Sequence, residues 1–403
     1  MSRALVLSYW NINQPATGGL RRVNALMEAL GSDRLLCQPG PAHPLYQSVV
    51  FPSPLRQRPG GINRCLFTFF LPRPARVARD ALDAFRPDLI VLTSIWTFWP
   101  VRHVHDIRLV LDAHDVLSTA IVERYGRWHP FSLLVRSWER RVARRVDHLF
   151  VCSELDRDQF VTQHGVLPCR ITVVPNGVHI PSASLAAPPL PAPWPGELEG
   201  HGVLFFMGTL RYQPNARALA FLNDTVLPAL EQKRPGFFRL VVCGGERPSG
   251  TWHPALRFAG KVTDDLLQAL MARAHFCLAP IFTGSGTRLK ILEYMAAGKA
   301  VVSTPKGMEG LEAEPDRDLV VAEPDAFADA ILALANSPEK ARALGEAGAR
   351  LIRERYDWRT RSQPIWRSQF AARLPAEIQQ KTNRAGSSPK MSRETKAPDG
   401  SYG

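Results

Sequence analysis

The chain carries two successive series of short apolar segments alternating with longer helical patterns, and a proline-rich break separates them. In the first series, ALVLSYW from Ala4 leads into a loop with Gly18 and Gly19, then a helical run over about 21–30. After these come DLIVLTS behind Pro87, RLVLDAHD, an Arg-rich helix over about 131–146, HLFVCS and ITVVPNGV. Short apolar runs between helices indicate βαβ units, with a parallel sheet covered on both faces. Residues 181–196, PSASLAAPPLPAPWPG, can neither propagate a helix nor pair as a central strand, so they read as a linker. The second series runs GVLFFMG, FRLVVCGG, LRFAG, HFCLAPI, AVVSTP and LVVAEP, with helical TDDLLQALMARA and 287–297 between them. The expectation is an α/β protein of two doubly wound parallel-sheet domains, over 1–180 and 198–354, joined by a linker at 181–197. A helical segment at 355–374 and a polar, disordered tail at 375–403 complete the chain.

A formal net charge of +13 and a pI near 9.8 favour anionic partners. Nucleic acid lacks the basic-aromatic ladder or recognised module it would need here. Six cysteines (Cys37, Cys65, Cys152, Cys169, Cys243, Cys277) form no CxxC pair and no Cys/His ligand spacing, which argues for buried, reduced thiols rather than zinc or disulfides. That usage fits the cytoplasm. The longest apolar stretch, LIVLTSIWTFWPV from Leu89, falls short of the roughly 20 residues a spanning helix needs.

The most informative stretch is FTGSGTRLKILEYMAAGKAVVSTP, residues 282–305. Its Gly-rich loop follows a strand and opens a helix, at the sheet edge where open α/β folds bind ligands. A helix N-terminus offers unpaired N–H groups and partial positive charge to a phosphate. At 100° per residue, Gly286, Lys290, Glu293 and Ala297 share one face, while Leu289, Leu292 and Ala296 form an adjoining apolar stripe. Lys290 is placed to neutralise a diphosphate, and Glu293, one turn deeper, to accept hydroxyl hydrogen bonds such as those of a ribose.

GSGTRLKILEYMAAGKAVVST, together with PNGV before the linker and MGTLRYQPN after it, resembles the retaining glycosyltransferases of the GT-B class, family 4. The resemblance implies two Rossmann-like domains facing across a cleft, a nucleotide-sugar donor held mainly by the second domain, and no metal or other cofactor. It also implies that YDWRTRSQPIWRSQF crosses back to the first domain. Glu293 matches the second glutamate of the family's E-x7-E motif, which holds the ribose. Ser285 stands where the first glutamate is usual, and Thr209 and Pro214 stand where an Arg-x4-Lys phosphate pair is usual. Arg288 and Lys290 are the expected replacement for that pair.

The resemblance places further candidates around the cleft. Gly18 and Gly19 would meet the donor phosphates from the first domain, and His114, past a strand end, would meet the transferred sugar. Asp115 would position His114 or bind acceptor. Gly208, Thr209, Arg211, Ser285, Gly286, Thr287 and Arg288 would line the phosphates, and Lys261 the nucleobase. Asn176 and Gly177 read as a structural turn, and Glu123 and Arg124 as a mutual pair. The stretch 56–79, RQRPGGINRCLFTFFLPRPARVAR, has exposed-looking aromatics among arginines and reads as a peripheral contact with anionic membrane. The function expected is retaining transfer of a sugar from a nucleotide-diphosphate donor to a glycan or lipid-linked acceptor, at the cytoplasmic face of a membrane. A nucleotide-sugar 2-epimerase of the same fold, or a non-catalytic anion- or membrane-binding protein, are the rivals.

Overall fold

The computed structural model describes residues 3–13, 18–52, 64–180, 188–284 and 286–371. The whole polar tail from 375, residues 181–187 of the linker, part of the 56–79 stretch and Ser285 lie outside them.

Among the described residues the first domain has seven strands: β1 (Ala4–Leu7), β2 (Arg34–Pro39), β3 (Ser48–Phe51), β4 (Leu89–Leu92), β5 (Arg108–Asp112), β6 (His148–Val151) and β7 (Ile171–Val173). They lie in the order β3-β2-β1-β4-β5-β6-β7, all pairs parallel. The second domain has β8 (Gly202–Met207), β9 (Phe238–Cys243), β10 (Leu256–Gly260), β11 (Phe276–Ala279), β12 (Ala300–Ser303) and β13 (Val320–Val321). Their order is β10-β9-β8-β11-β12-β13, again parallel. Strands such as LIVL and GVLFFM are buried along their whole length because helices cover both faces, which is why they read as unbroken apolar runs. Each sheet reverses direction once, between β1 and β4 and between β8 and β11. A doubly wound sheet opens its crevice at that point, outside the carboxyl ends of the strands. The loops leaving β1, β8 and β11 therefore open at the two crevices.

Several boundaries differ from expectation. The first helix spans Gly18–Ala29, so both glycines form its opening turn rather than the loop before it. The linker ends in a short helix, Trp194–Leu198. Leu198 is fully buried, with Leu190 and Trp194 packed beside it on the second-domain core, so apolar burial assigns this end of the linker to the second domain. Cys37, Cys152, Cys243 and Cys277 are free and buried as expected, but Cys169, in the turn Pro168–Arg170, is exposed.

The aromatics of residues 67–70 are not exposed. Phe69 is buried edge-on to Phe51, and Phe67 and Phe70 pack on Trp96 at 5.0 and 6.2 Å. Tertiary contact with three tryptophans, Trp96, Trp99 and Trp138, takes these rings into the first-domain core. Arg73, Arg76 and Arg79 stay exposed on the helix Pro72–Phe85. Among the described residues no helix is long and apolar enough to cross a membrane.

The chain returns to the first domain at its end. Val178 pairs with Asp357 as an isolated bridge, Val178 N–H donating to Tyr356 O at 2.8 Å and Trp358 N–H to Val178 O at 3.2 Å. The helix Gln363–Ala371 then lays Trp366 and Phe370 on the helix Gly18–Ala29. Gly177 lies under this crossing, where a Cβ would come within 2.7 Å of the Tyr356 carbonyl oxygen. Backbone cannot yield as a flexible side chain can, so Gly177→Ala is expected to destabilise the protein by about 1–3 kcal/mol in denaturant unfolding. An unchanged midpoint and slope would contradict this reading of the crossing.

Candidate active site

The loop leaving β11 ends at Arg288, which caps the helix Leu289–Ala296 with φ −88° and ψ 90°, outside the helical region. Its guanidinium folds back onto its own loop, donating to Gly284 O at 2.7 Å and to Gly286 O. Arg288 therefore shapes the loop, while the helix it precedes carries Lys290 and Glu293. The helix buries Ile291, Leu292, Tyr294 and Met295, more than the stripe of Leu289, Leu292 and Ala296 predicts, because it packs against both the sheet and the helix Pro338–Arg355. Gly286 turns toward the first domain, where a Cβ would lie 3.0 Å from His114 O and 3.4 Å from Asp115 Cβ.

The Lys290 ammonium donates to Asn215 Oδ1 at 2.7 Å and sits 4.4 Å from the centroid of the Phe206 ring. Burial, and then the neighbouring Arg288 charge, lower its pKa to about 7. Asn215 is itself held by its Nδ2 donating to Thr209 O at 3.1 Å. Gly208, at φ +154°, leaves no room for a side chain there, since a Cβ would fall 2.5 Å from Asn215 Nδ2. The segment after β8 thus serves the site through Asn215, in the first turn of the helix Gln213–Phe221, a residue the sequence reading did not single out. Thr209 contributes a backbone carbonyl. Arg211 lies exposed in an ion pair with Glu246 at 2.9 Å, and Lys261 is exposed beyond β10.

Glu293 points into the cleft and pairs with Arg21 of the first domain. Gly18 stands close by, a Cβ there coming within 2.6 Å of Leu289 Cδ1. At the carboxyl end of β5, His114 stacks on Trp10, with ring centroids 5.7 Å apart and planes inclined at 23°. Its Nε2 lies 3.4 Å from Asp112 Oδ2, and its Nδ1 faces Gly19. Asp112 is fully buried, receiving Arg22 Nε at 2.9 Å and Arg22 Nη2 at 2.7 Å. Burial alone would raise the Asp112 pKa, but Arg22 and His114 pull it below the ordinary carboxylate value.

Three polar contacts join the domains beside these groups. Asn176 Nδ2 donates to Thr287 Oγ1 at 2.6 Å. Glu123 does not pair with Arg124 but spans the cleft, accepting from Gly284 N–H at 2.9 Å and from the Lys306 ammonium at 2.8 Å. Arg124 instead lies over the Tyr125 ring. The sequence gives no sign of the Arg22–Asp112 pair and suggests other roles for Glu123 and Asn176, because their partners are 90 to 183 residues away and no local pattern announces such pairs. Among the described residues no cluster of three His, Cys, Asp or Glu could hold a metal ion.

The family described as Glycosyltransferase Family 4 matches residues 20–180, and the one described as Glycosyl transferases group 1 matches residues 201–337. Together they span both domains and meet at the cleft. The chain belongs to the family 4, group 1 glycosyl transferases, with the GT-B fold. A phosphatidyl-myo-inositol mannosyltransferase of Mycolicibacterium smegmatis is 32% identical over 203 residues, 48% of this chain and 50% of that one. Its counterpart from Mycobacterium tuberculosis H37Rv is 29% identical over 210 residues, 48% of this chain and 52% of that one. The chain thus spans about half the length of these curated relatives. Among solved structures, a sucrose-phosphate synthase from Thermosynechococcus elongatus superposes with a TM-score of 0.67 at 16% identity, covering 95% of this chain and 99% of that one. Anabaena Alr3699/HepE, in complex with UDP and glucose, gives 0.66 at 16% identity over 92% and 100%. At such identity these two likenesses speak for the two-domain fold alone.

Proposed function

We propose that the protein is a retaining glycosyltransferase that moves a sugar from a nucleotide-diphosphate donor to an acceptor hydroxyl. The observation that carries this reading is Lys290 and Glu293 on one helix at the β8/β11 crevice, facing His114 and Gly18–Gly19 across the cleft. Negative charge grows on the departing diphosphate. The Lys290 ammonium and the backbone N–H groups at the start of its helix stabilise that charge without a metal. The diphosphate in turn restores the proton that burial weakens on Lys290. Ribose hydroxyls compete with Arg21 for the Glu293 carboxylate, and His114 meets the sugar. Retention by front-face attack, with the leaving phosphate taking the acceptor proton, comes from the family resemblance. With Ser285 in place of the usual glutamate, sugar choice falls to other groups around His114.

The mycobacterial relatives are named for a lipid acceptor, which supports a glycan- or lipid-linked hydroxyl as the acceptor here. Contact with an anionic membrane is part of the same reading, through a ridge the sequence did not single out. Trp128 is 77% exposed and Leu134 59%, with Leu133 beside them, on a hairpin that also exposes Arg124, Arg127, Arg140 and Arg141. Phe131 of the hairpin packs on Phe67, so the ridge adjoins the basic stretch at 64–79. Such a combination lets aromatic and aliphatic groups dip between headgroups while guanidiniums pair with phosphates.

Thermal unfolding with UDP, GDP, ADP and their common sugar conjugates tests the donor. One nucleotide family, present well above its dissociation constant, is expected to stabilise the protein by about 2–4 kcal/mol. No shift with any nucleotide in folded protein would sink the transferase reading and favour a binding protein. Release of nucleoside diphosphate with a glycosylated acceptor, rather than an epimerised sugar, separates transfer from epimerisation.

A further inference from the structure

Five polar side chains line up from the donor loop of the second domain to His114 of the first, hydrogen-bonded as far as Asp112, whose carboxylate then faces the His114 ring. Thr287 Oγ1 accepts from Asn176 Nδ2 at 2.6 Å, and Asn176 Oδ1 accepts from Arg22 Nη1 at 3.1 Å. The same Nη1 donates to Val174 O at 2.8 Å, while Nε and Nη2 clamp both oxygens of Asp112. Asp112 Oδ2 then stands 3.4 Å from His114 Nε2. Arg22 and Asp112 have no exposed surface, and Trp366 of the returning helix covers the guanidinium at 5.0 Å.

This arrangement exceeds what packing needs. An apolar pair of similar volume would fill the space between helix and sheet without the desolvation that two buried charges require. The retained charges end at His114, and the path begins on the loop that leads into the helix carrying Lys290. The Asp112 carboxylate, 3.4 Å from Nε2, favours a proton on that ring nitrogen by charge, although the contact lacks hydrogen-bond geometry. With the proton on Nε2, Nδ1 is left as an acceptor on the Gly19 side of the cleft.

We propose that Asp112, Arg22 and Asn176 are positioning residues that couple the seating of the donor loop to the orientation and tautomer of His114. The inference rests on the transferase reading for the role of His114 and deepens it. Asn176 reads the loop through Thr287, Arg22 transmits its position as a rigid planar fork, and Asp112 holds the ring. None of the three touches substrate.

The test uses the full chain with histidine ring nitrogens labelled with 15N, the His114 signals being identified by their loss in His114→Gln. The probe is UDP or GDP, whichever stabilises the protein. In the wild type, nucleotide is expected to change the His114 nitrogen shifts. Asn176→Ala, which leaves the buried ion pair intact, is expected to bind nucleotide as before while that response disappears. Its kcat for transfer should fall about 10- to 100-fold with donor KM within about 2-fold, the pattern of a displaced group rather than a lost binding contact. Folded Asn176→Ala with wild-type kcat and a wild-type His114 response would overturn the coupling. Asp112→Asn, examined without ligand, should redistribute the proton between the two ring nitrogens. An unchanged spectrum would overturn the role of Asp112, and if that variant does not fold, Asn176→Ala decides alone. Should the wild type bind no nucleotide, the transferase reading fails. The relay is then judged on the ligand-free spectra, where unchanged His114 signals in Asn176→Ala overturn it.

Discussion

Lys290→Met is expected to make the protein more stable and to abolish its response to nucleotide. The lysine holds its charge in a place that disfavours charge: burial and Arg288 lower its pKa to about 7, and one carboxamide oxygen, Asn215 Oδ1, accepts from it. Below pH 7 the ammonium is protonated in both folded and unfolded chains, and the folded state bears the whole penalty. Between about 7 and the ordinary lysine value of 10.5 the unfolded chain holds a proton that the folded chain has released, so wild-type stability rises with pH. Above that value the penalty is gone. Methionine has a similar length and no charge, so its advantage is largest at pH 7 and below and fades toward pH 10.5. Part of the lysine stem is reachable from the cleft, and Asn215 loses a partner in the variant. The net gain at pH 7 is therefore about 1–3 kcal/mol rather than the full value of the shift. Thermal unfolding at pH 6.5 and 10, with and without UDP or GDP, reads both effects. A variant less stable than the wild type at pH 6.5, or one still stabilised by nucleotide, would contradict this account of the site. A stability lost to function in this way is what a group kept for transition-state charge predicts.

Cutting the Arg22–Asp112 pair on one side should produce the largest loss. Asp112→Ala strands a guanidinium with no exposed surface, and Arg22→Ala strands a carboxylate in the same state; each is expected to cost about 3–5 kcal/mol. Replacing both, as Arg22→Met with Asp112→Leu, removes the stranded charge and should restore most of the stability, leaving a folded protein with impaired transfer. Denaturant unfolding of the wild type, Arg22→Met, Asp112→Leu and the double variant closes the cycle. If the single variants lose less than about 1 kcal/mol, the pair is not the buried clamp described here. Because Asp112 ionises below the ordinary carboxylate value in the folded protein, its contribution is present at neutral pH. It is lost as pH falls through that depressed value, so acid should bring the wild type toward the single variants.

Much of this molecule is written locally. Strand–helix alternation with fully apolar strands specifies parallel sheets covered on both faces, since such strands have no polar face to offer water. The glycines of the 282–288 loop and the spacing of Lys290 and Glu293 on one helical face mark the crevice side, because helix geometry relates residues three apart whatever the rest of the chain does. Even the return of residues 356–370 to the first domain follows from the family pattern. The sequence did less well wherever the partner was distant. The rings of Phe67, Phe69 and Phe70 looked exposed until Trp96, Trp99 and Trp138 enclosed them, while Trp128, unremarked in the sequence, stands exposed with only the Arg127 guanidinium over its ring among the described residues. Glu123 looked like a partner for its neighbour Arg124 and reaches instead to Gly284 and Lys306 in the other domain.

The two consecutive arginines of the first helix separate the two kinds of information. Their position after a strand and a Gly-Gly turn, at the edge of a crevice, is set by the sequence, because backbone propensity and apolar periodicity act over a few residues. That Arg21 turns outward to Glu293 while Arg22 turns inward to Asp112, Val174 and Asn176 was decided only by the tertiary structure. Neighbouring helical side chains point about 100° apart, and which of the two directions is core and which is cleft depends on sheets and domains assembled from residues 90 or more positions away.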